Sequence, residues 1–61
     1  MNSEATTVMT IVDSTSGMLK IILDELETTK DSENLKAQGA YLVELGQHLM
    51  TAAYFADMAE F

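Results

Sequence analysis

His48, the only histidine of the chain, is the side chain best suited to acid–base or metal chemistry. Glu44 precedes it by four residues, so the two side chains meet on one face if this segment is helical. An imidazole held in this way serves as a general base or as a metal ligand. A catalytic site also needs a nucleophile or substrate-binding groups, and nothing basic lies near His48 in the sequence. We therefore predict a non-enzymatic protein with no catalytic residues, metal site or cofactor, and we place His48 at a solvent edge or interface.

Acidic residues outnumber lysines by ten to three, and the formal net charge is −7. Nucleic acid is not expected as a partner, because phosphate binding requires clustered Lys or Arg. Five of the acidic residues surround the middle of the chain: Asp24, Glu25, Glu27, Asp31 and Glu33. A calcium-binding loop would contain a glycine, which this segment lacks. We interpret the cluster as the solvated end of a hairpin, with an acidic DNA mimic as the alternative.

The chain has 61 residues, of which 48% are apolar and none is cysteine. This length predicts a single domain over residues 1–61, close to the size at which one core is only marginally sufficient. The sequence contains no apolar run of about 20 residues and no positively charged leader at its start. We therefore expect a cytoplasmic protein without membrane contact.

The first half of the chain follows a helical pattern and predicts a helix over about 4–28. Apolar or semi-apolar residues recur at steps of three and four. The β-branched segment 7–12 also suits a strand, although it would have no partner strand. Gly17 leaves room for a break near 13–17. The stripe consists of Val8, Ile11, Val12, Thr15, Met18, Leu19, Ile22 and Leu26.

The second half predicts a turn over about 29–32, capped by Asp31 or Ser32, and a helix over about 33–59. Leucines recur every seven residues, and a second row lies three residues later with one polar member, Gln38. A row of small residues runs alongside and would let another helix approach closely. These rows are Leu35, Leu42, Leu49 and Ala56; Gln38, Leu45, Ala52 and Ala59; and Gly39, Gly46 and Ala53.

Two helices of matched length joined by a short turn predict an all-α antiparallel hairpin. Apolar residues extend beyond one stripe on both helices, and a lone hairpin would leave a large apolar patch in water. We therefore expect a homodimer in which two hairpins form a four-helix bundle, with a different protein covering the patch as the alternative. The predicted core and dimer residues are Leu19, Ile22, Leu26, Leu35, Gly39, Leu42, Leu45, Gly46, Leu49 and Ala53.

Large side chains on the second helix suggest a binding surface. Tyr41, His48 and Phe55 follow one another at seven-residue spacing. Aromatic residues are enriched at binding hot spots, and methionine-rich surfaces adapt to different partners. The same residues would equally suit a dimer core. The predicted partner-binding set is Tyr41, His48, Met50, Tyr54, Phe55 and Met58.

The segment 41–53, with the sequence YLVELGQHLMTAA, resembles the second helix of very small helical-hairpin proteins of pseudomonads and their phages. The resemblance extends over about 18–58 and consists of a hydrophobic pattern. One phage type, similar in architecture, is a dimeric hairpin that binds and disables host regulators, including a quorum-sensing activator. The resemblance implies a phage-encoded regulator or inhibitor that docks sterically on a host regulatory protein. A structural assembly subunit is a further alternative.

Overall fold

A computed structural model describes all 61 residues, and it consists of two packed helices with a short loop between them and no strand. Helix α1 spans Ser3–Thr28, and helix α2 spans Ser32–Ala56. The molecule measures 44 × 16 × 10 Å, as two antiparallel helices side by side require. The predicted all-α hairpin is thus confirmed. The segment 7–12 lies inside α1, and the helix continues through Gly17 without a break.

Both helices begin at a residue whose side chain caps the first turn. The Oδ1 atom of Asn2 accepts a hydrogen bond from the Ala5 N–H at 2.9 Å. The Asp31 carboxylate accepts one from the Asn34 N–H at 3.0 Å, so Asp31 rather than Ser32 is the cap of α2. Each bond satisfies an N–H group that has no partner within its helix. At its other end α2 stops at Ala56, three residues before the predicted end.

The interface between the helices is narrow. Only six of the 61 residues are buried, and no large side chain is completely enclosed. On α2 the buried residues form one row at seven-residue spacing, Gln38, Leu45 and Ala52. On α1 they are Ala5, Thr15 and Ile22.

The predicted row of leucines at seven-residue spacing lies outside this interface. Leu35, Leu42 and Leu49 remain 46%, 40% and 48% exposed. Each precedes a member of the buried row by three residues, which turns its side chain about 60° away from α1. A helix with a single neighbour buries one row only, and here that row contains Gln38 and Leu45. Of the two predicted rows at seven-residue spacing, the hairpin therefore buries only the one that contains Gln38, Leu45 and Ala52.

The loop between the helices is held by Asn34, in the first turn of α2. Its Nδ2 atom donates to Thr29 Oγ1 at 2.8 Å and to Glu25 Oε1 at 3.1 Å. Its Oδ1 atom accepts from Gln38 Nε2 at 3.1 Å, which gives this buried amide a partner. These bonds join the end of α1 to the start of α2 and explain why a turn without glycine or proline is well defined.

Candidate protein-binding faces

The buried row of α2 separates two flanks of different chemistry. Leu42 and Leu49 each precede a buried residue by three positions, whereas Tyr41 and His48 each follow one by three positions. The two sets therefore diverge by about 60° to either side of the direction that faces α1. We call the first side the leucine face and the second the aromatic face.

Helix α1 contributes to the same two faces. Met18 follows the buried Thr15 by three residues, and it lines one groove together with Tyr41. Because the two side chains share this groove, residues that lie three positions after a buried residue are on the aromatic face in both helices. The residues that precede the buried positions of α1, Val12 and Leu19, consequently lie on the leucine face. Both are large, apolar and exposed, at 41% and 38%.

The aromatic face contains two shallow grooves between the helices. One has a volume of about 280 Å³ and the other of about 160 Å³. The larger groove is rich in hydroxyl groups and is lined by Thr10, Ile11, Ser14, Thr15, His48 and Thr51. The smaller groove is mainly apolar and is lined by Met18, Ile21, Ile22, Glu25, Gln38 and Tyr41.

Two of the four hydroxyl groups in this groove are not available to a ligand. The Thr51 hydroxyl donates to the Gln47 carbonyl at 3.2 Å, and the buried Thr15 hydroxyl has no partner. His48 borders the groove, whereas Glu44, its predicted neighbour, is not among the lining residues. No group of three or more His, Asp or Glu side chains could hold a metal ion. The exposed hydroxyl groups of Thr10 and Ser14 remain for a polar group of a bound chain, in a groove whose surface is otherwise mostly apolar.

The predicted partner-binding residues do not form one surface. Tyr41, His48 and Phe55 lie on the aromatic face, with Phe55 partly buried. The Tyr54 ring packs edge-on against Phe55, with centroids 5.5 Å apart, but it projects away from α1 and is 66% exposed. Met50 is 74% exposed on the outer side of α2.

Met58, the last member of the set, lies beyond the end of α2. Its backbone carbonyl accepts a hydrogen bond from Asn2 Nδ2 at 3.0 Å. Of the predicted set, the aromatic face of the hairpin therefore contains only Tyr41, His48 and Phe55, and Met18 and Ile21 of α1 lie on the same face.

The predicted core and dimer residues also fall into two groups. Ile22 and Leu45 are buried in the hairpin, and Leu26 is half-buried. The other residues are exposed and lie on or beside the leucine face: Leu19, Leu35, Gly39, Leu42, Gly46, Leu49 and Ala53. The hairpin interior thus accounts for three of the predicted residues, and the other seven lie outside it.

The two faces differ in charge. Glu25 lines a groove of the aromatic face, and Glu44 lies on the same flank of α2. The central part of the leucine face extends from Val12 to Leu26 on α1 and from Leu35 to Ala53 on α2. Its positions carry apolar residues, glycine or serine, and none is charged. A chain with a net charge of −7 therefore has one broad face without charged side chains.

Neither helix contains an apolar window long enough to cross a membrane. Comparisons with protein-family models, curated proteins and solved structures found no match to the chain.

Proposed function

We propose that the chain is a non-enzymatic, homodimeric binding protein that uses its aromatic face to dock on another protein. The observation that supports this function is the union of Tyr41, Met18 and Ile21 around an open apolar groove, next to the hydroxyl groove beside His48. Both grooves lie between two helices, so their shape exists before a partner binds.

The two grooves suit a polypeptide partner. An aliphatic or aromatic side chain of the partner enters the groove at Met18 and Tyr41, and the neighbouring hydroxyl groups receive a polar group. Tyrosine contributes strongly at interfaces because it buries a large rigid surface and retains a hydroxyl group for hydrogen bonding. Methionine adapts its shape to the side chain that enters.

The action proposed for this protein is steric. Docking covers a surface that the partner needs for its own activity, so the hairpin regulates or inhibits without chemistry. The resemblance to phage hairpins favours a host regulatory protein in the cytoplasm as the target. The acidic residues around the loop attract a basic partner and accelerate encounter.

Affinity capture tests this function. The tagged chain is incubated with a cell lysate, and the retained proteins are identified by mass spectrometry. We expect one regulatory protein to be retained by the wild type and lost by the Tyr41→Ala variant. Capture that survives this replacement would show that the aromatic face is not the docking surface.

The salt dependence of capture and the size of the free protein distinguish docking from the two alternatives, a DNA mimic and a structural assembly subunit. At about 1 M salt, charge interactions are screened beyond roughly 3 Å. Capture through apolar grooves persists under these conditions, whereas a DNA mimic releases its partner. A structural assembly subunit would instead elute as a large oligomer in the absence of any partner.

A further inference from the structure

We infer that the leucine face is the surface through which two copies of this chain pair, with the α2 helices meeting along the row of small residues Gly39, Gly46 and Ala53. This inference rests on the proposed homodimer and names the face that forms it. The aromatic face then remains free on both copies.

The surface area of the chain shows how much remains to be covered. The hairpin exposes 4553 Å². A folded monomer of 6.7 kDa would expose about 3,900 Å². The difference, roughly 650 Å², approaches the area of about 800 Å² that each partner buries in a standard interface. Pairing with one further copy brings the exposed area per chain to the value of an ordinary globular protein.

The leucine face supplies this area in apolar form. Its side chains Leu19, Leu42 and Leu49 are 38–48% exposed in the hairpin, although leucine is among the residues most often buried in proteins. The broad side of the molecule measures 44 × 16 Å, a projected area of about 700 Å², which is close to the roughly 650 Å² that remains to be covered. Covering these leucines contributes about 25 cal/mol for each Å² of apolar surface removed from water.

The absence of charged side chains from the leucine face favours a second copy of this chain as its partner. Two chains with a net charge of −7 each repel one another wherever their acidic surfaces face. The leucine face is the broad face of the hairpin that lacks charged side chains, so it can meet its own copy without burying a carboxylate. A partner recognised by charge complementarity would find no group to bind here. A two-fold axis through the face brings the same apolar rows together from both copies.

The glycines of α2 indicate where the two copies come closest. A Cβ atom built on Gly39 or Gly46 meets nothing within 4 Å, so α1 makes no use of either glycine. Each glycine weakens a helix by about 1 kcal/mol relative to alanine. Both lie beside the leucines on the face that α1 leaves open. A second α2 helix packed on this row gains close backbone contact, and that contact offsets the lower helix stability.

Replacing Gly46 with methionine tests the assignment. The hairpin has open space at this position, so the Gly46→Met variant folds and retains its helical circular dichroism signal. Gly17→Met is the matched control, because Gly17 is also helical with open space but lies away from the leucine face. The mass of each protein in solution is measured by light scattering over a concentration series.

We expect the wild type and Gly17→Met to have twice the chain mass of 6.7 kDa. Gly46→Met should dissociate to single chains or bind its copy at least about tenfold more weakly, which corresponds to 1.4 kcal/mol. A wild type that is monomeric at all concentrations overturns the inference. It is also overturned if Gly46→Met remains as dimeric as Gly17→Met. Because the mass is measured without a partner, a failure of the proposed docking leaves this result unaffected.

Discussion

Asn2 and Glu60, 58 residues apart in the sequence, exchange two hydrogen bonds across the open end of the hairpin. The Asn2 N–H donates to the Glu60 carbonyl at 3.1 Å, and the Glu60 N–H donates to Asn2 Oδ1 at 3.0 Å. The same Oδ1 atom caps α1 through the Ala5 N–H, and Nδ2 donates to the Met58 carbonyl. One side chain thus caps a helix and joins the two ends of the chain.

Replacing Asn2 tests this arrangement. Asn2→Ala removes the helix cap and two contacts to the C-terminal segment, and we expect the free energy of unfolding to fall by about 2 kcal/mol. Asn2→Ser is the control, because a serine hydroxyl still caps the helix and only the side-chain contacts to the C-terminal segment are lost, so it should lose less stability. Urea unfolding at a fixed protein concentration measures both. Equal stability of Asn2→Ala and the wild type would contradict the prediction.

The buried hydroxyl of Thr15 predicts a stabilising replacement. Its Oγ1 atom has no hydrogen-bond partner, which is unfavourable for a polar atom removed from water. Thr15→Val has a similar shape without the hydroxyl, and we expect the free energy of unfolding to rise by about 1 kcal/mol. The matched control is Thr7→Val, because the Thr7 hydroxyl donates to the Ser3 carbonyl at 3.0 Å. Thermal unfolding should show a higher midpoint for Thr15→Val only.

The helices could be predicted from sequence because their signals are local. Apolar residues at steps of three and four predict the two helices. The polar segment that contains Asp31 predicts the turn between them. The choice of the buried row was not local. Leu42 and Leu45 are equally apolar, and which of them faces α1 depends on the packing of the whole pair. The buried Gln38 also requires Asn34 as its partner, and composition does not reveal that contact.

The aromatic face, which we propose as the docking surface, could likewise be predicted only in part. The seven-residue spacing placed Tyr41 and His48 on one flank of α2, as the structure has them. It could not show that Met18 and Ile21 of α1 complete the groove, because that contact depends on the alignment of two antiparallel helices. Met50 belongs to the predicted set through its residue type alone. It lies outside the aromatic face, because five residues turn it about 140° from Leu45.

The acidic residues near the loop predict how fast a partner binds. Asp24 and Glu27 are exposed, whereas Glu25 is held by Asn34 and should be left intact. In the double variant Asp24→Asn, Glu27→Gln we expect the association rate with the captured partner to fall about threefold at low salt. The dissociation rate should remain unchanged, because these side chains lie outside the grooves. Surface plasmon resonance separates the two rates, and a change confined to dissociation would contradict the prediction.

The two tyrosines of the chain form a matched pair for testing the docking face. Both are exposed on α2, but Tyr41 lines the groove with Met18 while Tyr54 projects away from α1. Removing a hot-spot tyrosine costs about 2 kcal/mol of binding energy, or roughly 30-fold in Kd. We therefore expect calorimetry with the purified partner to show this loss for Tyr41→Ala and a change below about threefold for Tyr54→Ala. The reverse order would place the docking surface on the outer side of α2, because the same residue type is removed from the same helix in both variants.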